Sequence, residues 1–277
     1  MKITEALIER RHRKSALLAA NFYNAETLLA LIRAARATGL PLILQTSPST
    51  IEYLGLRMTV AMAKAAIEEL EGRAWLHLDH CRDFGLITQA IEAGYDSVMI
   101  DASEEPLEEN IRETTRIVEI AHAAGVAVEA ELGYVAKLGQ AELTPDGLTD
   151  PSQAGRFAEA TGVDFLAVAI GTAHGFYKRP PALDLPRLEA IAREVAVPLV
   201  LHGGSGLSPA QMRAAIERGI AKVNFATEIK DTFTRVLKER LNNSREIDIR
   251  KTFPPAQERV EQLVAGKMII CDRKENV

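Results

Sequence analysis

Short apolar, β-branched runs alternate with amphipathic helical stretches eight times along this chain, and that alternation leaves few folds open. The strand-like runs fall at residues 16–22, 41–46, 74–79, 97–101, 127–132, 164–170, 198–202 and 222–226. Helical periodicity fills the intervals, as at 25–38, 59–71, 107–124 and 209–218. Several strands are continuously apolar, as parallel strands covered on both faces should be. Gly39 and Gly125 follow helix ends, and Ser208-Pro209 supplies an N-cap with proline at the first helical position. Eight such units in about 250 residues predict an α/β fold of the (β/α)8 TIM-barrel type. The competing open, doubly wound sheet carries a glycine-rich turn after its first strand. Here the first strand runs into Asn21-Phe22-Tyr23-Asn24 instead. The barrel is expected over about residues 1–241. Asn242-Asn243-Ser244 should break a helix and Phe253-Pro254-Pro255 precede a last one, so residues 242–277 read as a helical extension of a single domain.

Composition excludes several classes. With 33 Lys plus Arg against 38 Asp plus Glu the net charge is -5, which argues against a nucleic-acid-binding protein. The basic run Arg10-Arg11-His12-Arg13-Lys14 reads as a solvated helix face. No apolar run approaches a bilayer span, and residues 1–13 lack a secretory apolar core, so no membrane partner is expected. Two cysteines, Cys81 and Cys271, form no disulfide framework and fit the cytoplasm.

A barrel places its active site at the C-terminal ends of its strands. Those ends are polar here: Asn21 and Asn24; Gln45, Thr46 and Ser47; His77, Asp79 and His80; Asp101 and Ser103; Glu129 and Glu131. The sixth run leads into Gly171-Thr172-Ala173-His174-Gly175, the seventh into His202-Gly203-Gly204-Ser205-Gly206, and the eighth ends Asn224-Phe225-Ala226-Thr227. One rim histidine alone reads equally well as a hydrogen-bonded structural group. Three or four converging from His77, His80, His174 and His202 point to a metal, and imidazole suits zinc with positions left open for substrate. Cys81 should face away from His80 and be buried and inert. The glycine turn at 202–206 lets backbone N–H groups approach an anion, at the loops where barrel enzymes hold phosphate. Asp79 reads as a general acid or base, or as a carboxylate that orients a metal-binding imidazole. Glu129 and Glu131 share one strand face and either approach the metal or satisfy interior polar groups.

Together His77-Leu78-Asp79-His80 and residues 97–103, 129–133, 165–175 and 199–206 resemble the class II, zinc-dependent ketose-bisphosphate aldolases of the fructose- and tagatose-bisphosphate type. The match runs in order from about Asn21 to Leu237. The resemblance implies Zn2+ on His80, His174 and His202 and Asp79 as the proton-transfer residue, while Glu131 stays an alternative ligand on the strand-face reading. It places Gly175, Gly203, Gly204, Ser205, Asn224, Ala226 and Thr227, joined by Asn21, around the phosphorylated sugar, with a monovalent cation (Na+ or K+) near the phosphate loop. The implied reaction is reversible cleavage of a ketose 1,6-bisphosphate, tagatose or fructose, to dihydroxyacetone phosphate and glyceraldehyde 3-phosphate through a metal-stabilised enediolate. A homodimer or homotetramer is implied as well. A Schiff-base route would need a lysine at a strand's C-terminal end; Lys222 is expected at the opposite end and Lys178 in a loop.

One departure stands out. Where such aldolases carry a mobile Gly-Gly-x-Glu-Asp loop, residues 133–142 read Gly-Tyr-Val-Ala-Lys-Leu-Gly-Gln-Ala-Glu. Glu142 is the nearest carboxylate for the second proton transfer, or a surface residue without a catalytic task. The change leaves open another phosphorylated keto sugar, such as 6-phospho-5-dehydro-2-deoxygluconate. A non-catalytic aldolase-like accessory subunit and a metal-dependent hydrolase on the same fold are the further alternatives.

Overall fold

A computed structural model describes residues 1–135, 147–177 and 181–272. The strands are β1 (Leu17–Asn21), β2 (Leu42–Thr46), β3 (Ala74–Cys81), β4 (Ser97–Ile100), β5 (Ala127–Leu132), β6 (Phe165–Val168), β7 (Leu199–Leu201) and β8 (Ile220–Phe225). They pair in parallel in chain order and β8 returns to β1, closing the expected barrel. Around them run α2 (Ala25–Thr38), α3 (Pro48–Leu54), α4 (Leu56–Glu69), α5 (Phe84–Ala93), α6 (Leu107–Ala123), α7 (Pro151–Thr161), α8 (Leu185–Glu194), α9 (Pro209–Glu217) and α10 (Thr227–Asn243). Before β1 lies α1 (Ile3–His12), and after α10 come α11 (Ile249–Thr252) and α12 (Pro254–Asp272). Among these described helices none is long and apolar enough to cross a membrane.

Boundaries moved where the chain bends towards function. The sixth and seventh strands stop at Val168 and Leu201, because the glycine-bearing segments after them leave the ladder. The third runs on to Cys81, and the eighth starts at Ile220, ahead of the expected 222. Helix α2 matches its expected 25–38, with Asn24 capping through Thr27 N–H and Gly39 ending it at φ +69°.

Strand alternation sorts the side chains. One parity, including Leu18, Leu42, Leu44, Leu76, Val98 and Val128, packs against the helices. Thr46 follows that parity, so its hydroxyl meets Tyr95 at 2.9 Å in the core rather than facing the mouth. The other parity fills the barrel in tiers. At the bottom, Leu17, Ala19, Ile43, Trp75, Phe165 and Val200 form an apolar floor, and α1 plugs it with Ile3, Ala6 and Leu7. That i, i+3, i+4 spacing is one helix face. Burying Leu7 alone is worth about 2 kcal/mol, so Leu7→Asp would unseat the plug.

One surface expectation changes. Arg10 pairs with Asp272, and Arg11 donates to the carbonyls of Ala192, in the last turn of α8, and of Val195 and Val197 just beyond it. The basic run therefore works as a clasp and a helix cap, because unpaired C-terminal carbonyls favour a cation. The expected C-terminal helical extension is present, and it packs into the barrel wall. Val260, Val264 and Met268 of α12 join the core, and Ala16 N–H donates to Cys271 O at 2.9 Å beside β1.

Candidate metal centre and anion cleft

Above the apolar floor sits a buried polar tier. Lys222 and Glu129 are both fully buried, with Nζ 2.7 Å from Oε2. Lys222 thus points into the barrel interior rather than lying at the strand's far end. A register shift between β7 and β8 places it there directly after inward-facing Ala221. His77 belongs to this tier too, not to the rim: its Nδ1 meets Ser97 Oγ at 2.8 Å and its Nε2 lies 3.5 Å from Glu129. Burial, then the Lys222 charge, pull its pKa down to about 3, so it is neutral.

The mouth is shaped by a second irregularity. Simple alternation would send Asp79 inward and His80 outward. Instead the β3–β4 register shifts between Leu78 and Cys81, and His80 takes φ +48°. That left-handed conformation costs a non-glycine residue about 1 kcal/mol or more. It turns two consecutive polar side chains to the mouth and sends Cys81 into the core, where burial pushes its thiol up to about 11. Cys81 is inert, as expected.

His80, His174 and His202 then converge, one ring nitrogen of each lying within 4.8 Å of the others. His80 Nδ1 is held at 2.8 Å by Asp101, which leaves its buried Nε2 without a hydrogen-bond partner among the described residues. His202 Nε2 is held at 2.8 Å by Glu129, which leaves Nδ1 as the free nitrogen. Glu131 Oε2 stands 3.1 Å from that Nδ1 without hydrogen-bond geometry, and neither atom has another partner among the described residues. Two orphaned imidazole nitrogens whose other nitrogens are tied to carboxylates are the arrangement that supports metal-bound histidine. Burial opposes charge on His202, but Glu129 and Glu131 outweigh it and push its pKa up to about 10, so a proton must leave before Nδ1 can ligate a metal. Burial, then the other two histidines, pull His174 down to about 3, keeping it neutral as a ligand must be. The donor set fits zinc. Asp101 stands on the predicted rim, but its orienting task is not legible in the sequence, since its partner lies 21 positions away.

Asp79 does not orient a histidine. It accepts from Asn21 Nδ2 at 3.2 Å and Asn224 Nδ2 at 3.0 Å. Burial alone would raise its pKa, but the charges of His80, His202 and Lys222 hold it below the usual range. It is an ionised carboxylate at the mouth. Beside it opens a narrow cleft lined by Asn21, Asp79, His174, Gly175, Gly203, Gly204, Ser205, Asn224, Ala226 and Thr227. Every residue expected around the phosphorylated sugar is in that lining. Gly204 is pressed so close to β8 that a Cβ would lie 2.7 Å from Asn224 O. On the far side of the triad is a cavity of about 200 Å³ lined by His80, Arg82, Asp101, Ser103, Glu104, Glu131, Tyr134, Val135 and His174. No local pattern marks Arg82 as a site residue, and it reaches this cavity because it follows the β3 bulge. Glu142 and Lys178 lie outside the described residues.

Comparison with known proteins agrees with this geometry. The family model described as "Fructose-bisphosphate aldolase class-II" matches residues 1–276. The YdjI aldolase from Escherichia coli K12 is 32% identical over 99% of both chains, with a TM-score of 0.88. A protein of Coccidioides immitis, provisionally assigned as a fructose-1,6-bisphosphate aldolase, is 31% identical over 98% of this chain and 96% of its own, at 0.89. Fructose-bisphosphate aldolase from Campylobacter jejuni, 23% identical over 99% and 95%, shares the fold at 0.84.

Proposed function

We propose that this chain, which belongs to the class II fructose-bisphosphate aldolase family, cleaves a ketose 1,6-bisphosphate, tagatose or fructose, to dihydroxyacetone phosphate and glyceraldehyde 3-phosphate. The observation that carries the reading is the shared wall. His174 and Asp79 border the glycine-rich cleft, and His174 is also a member of the histidine triad. A substrate phosphate in the cleft would meet backbone N–H groups of the glycine loop, with the carbon chain passing the triad. Zinc held by His80, His174 and His202, with Glu131 as an alternative ligand, would supply Lewis-acid polarisation of the substrate carbonyl. Asp79, held ionised by the cations around it and aimed by Asn21 and Asn224, takes the proton from the C4 hydroxyl as the C3–C4 bond breaks. C4 becomes the aldehyde, the electron pair passes from C3 towards the C2 carbonyl, and a proton returned to C3 completes the triose phosphate. Asn224 Oδ1 is buried without a partner among the described residues and is available to a substrate hydroxyl. Glu142 is our candidate for the second proton transfer.

A second reading, on a keto sugar phosphate such as 6-phospho-5-dehydro-2-deoxygluconate, draws on the far cavity. Its described lining sets Asp101, Glu104 and Glu131 against Arg82, and Arg82 already pairs with Glu104 at 3.0 Å and Glu105 at 3.2 Å. One shared guanidinium suits a single carboxylate better than a phosphate dianion. We read residues 1–277 as one domain, since α12 lies in the barrel wall. We also infer a cytoplasmic homodimer or homotetramer, supported by the exposed Leu241, Ile247 and Ile249 around the end of α10. A Na+ or K+ site finds no support among the described residues.

The test is cleavage of both 1,6-bisphosphates and of the deoxygluconate phosphate by zinc-loaded and chelator-treated protein, with triose phosphate read through a dehydrogenase. Activity on a bisphosphate that chelator abolishes and zinc restores is expected. Turnover of the deoxygluconate phosphate alone would move the assignment to the second reading. Silence on all three with zinc bound would refute both.

A further inference from the structure

The loops that carry two of the three histidines come from different strands, and one hydroxyl joins them. Ala173, immediately before His174, donates its N–H to Tyr177 Oη at 2.9 Å. Tyr177 Oη in turn donates to the carbonyl of Gly203, immediately after His202, at 2.8 Å. The ring lies along the glycine loop: a Cβ on Gly206 would stand 3.0 Å from Tyr177 Cδ2. At Gly203, φ is +70°, and a Cβ would sit 2.5 Å from Ala173 O and 3.0 Å from the tyrosine oxygen. The two loops therefore touch with no side chain between them, and the phenol spans the seam from its edge.

We propose that Tyr177 is a positioning residue that sets the spacing of His174 and His202 and, through Gly203 and Gly206, the shape of the anion cleft. It touches no reacting atom. Each of its two partners is covalently next to a metal-binding histidine, so movement of either loop changes where a ring nitrogen stands. The rings of His174 and His202 are 5.8 Å apart between centroids, and errors of a few tenths of an ångström at either backbone matter for tetrahedral ligation. Burial pushes the phenol up to about 12, so the hydroxyl remains both donor and acceptor across the working range. The inference rests on the triad as a metal site and is independent of which sugar is cleaved.

The experiment compares unmodified protein, Tyr177→Phe and Tyr95→Phe. Tyr95 is the control because its buried hydroxyl also makes a close bond, to Thr46 at 2.9 Å, away from the histidines. Zinc affinity is measured by competition with a chromophoric chelator, and ligand geometry by the visible spectrum of the cobalt-substituted protein. Tyr177→Phe should weaken zinc binding by about 10- to 100-fold, the range seen when an orienting partner is lost. It should also shift the cobalt bands and raise KM as well as lower kcat. Tyr95→Phe should lose thermal stability without moving the metal readouts. Unchanged zinc affinity and an unchanged cobalt spectrum in Tyr177→Phe would overturn the proposal, as would an equal change in the control. Failure of the unmodified protein to take up zinc would refute the metal centre itself, and the positioning role with it.

Discussion

The buried pair of Lys222 and Glu129 offers the sharpest quantitative test of how the barrel interior supports the metal centre. Both side chains are fully buried, 2.7 Å apart, and the second oxygen of Glu129 holds His202. Lys222→Met removes one charge and leaves a carboxylate in the interior with two imidazoles. Glu129→Gln leaves an ammonium without its counterion. Breaking a buried pair from one side costs about 3–5 kcal/mol, because the remaining charge is neither solvated nor paired. Lys222→Met with Glu129→Gln removes both charges at once, and the amide oxygen can still accept from His202. The double variant should therefore lose only about 1–2 kcal/mol, giving a coupling energy of several kcal/mol. At about 2 °C per kcal/mol for a chain of this size, each single variant should melt roughly 6–10 °C lower. Urea and thermal unfolding should be followed in chelator, since bound zinc would add linkage energy to whichever variants still bind it. Single variants within about 1 kcal/mol of the unmodified protein, or a double variant as damaged as the two singles summed, would refute the argument.

Three further outcomes follow from the mouth. His202→Ala should lose bound zinc by elemental analysis and lose turnover with it; full activity in metal-free protein would contradict the triad. Asp79→Asn should keep its zinc, because Asp79 bonds to Asn21 and Asn224 rather than to a histidine, yet kcat should fall about 10²- to 10⁴-fold. Loss of zinc in that variant would instead make Asp79 a support for the metal. Gly203→Ala forces a Cβ to 2.5 Å from Ala173 O in a left-handed backbone, so about 1–3 kcal/mol of stability and much of the affinity for inorganic phosphate should go. A variant that binds phosphate normally would show that the close approach is dispensable.

Much of this protein is legible in its chain because strand and helix periods are local. The alternation of apolar runs predicts the barrel, the Asn24 cap and Gly39 fix α2, and the polar residues gathered after the strands mark the working end. The inertness of Cys81 and the company of Asp79, His174 and the glycine loop could be read the same way. Other features depend on register between strands far apart in sequence. Alternation alone would have turned His80 away from the mouth, and a bulge paired against β4 turned it back. Lys222 looks like a strand-end lysine until a shift against β7 sends it inward to Glu129, 93 residues away. Tyr177 looks like a loop aromatic until two loops close beneath its hydroxyl. The sequence by itself determined which elements form, which end is polar and which donors are present. Only the tertiary structure decided which nitrogen of His80 and of His202 is free and which buried charge is paired, because hydrogen bonds and ion pairs follow distances that no local period encodes.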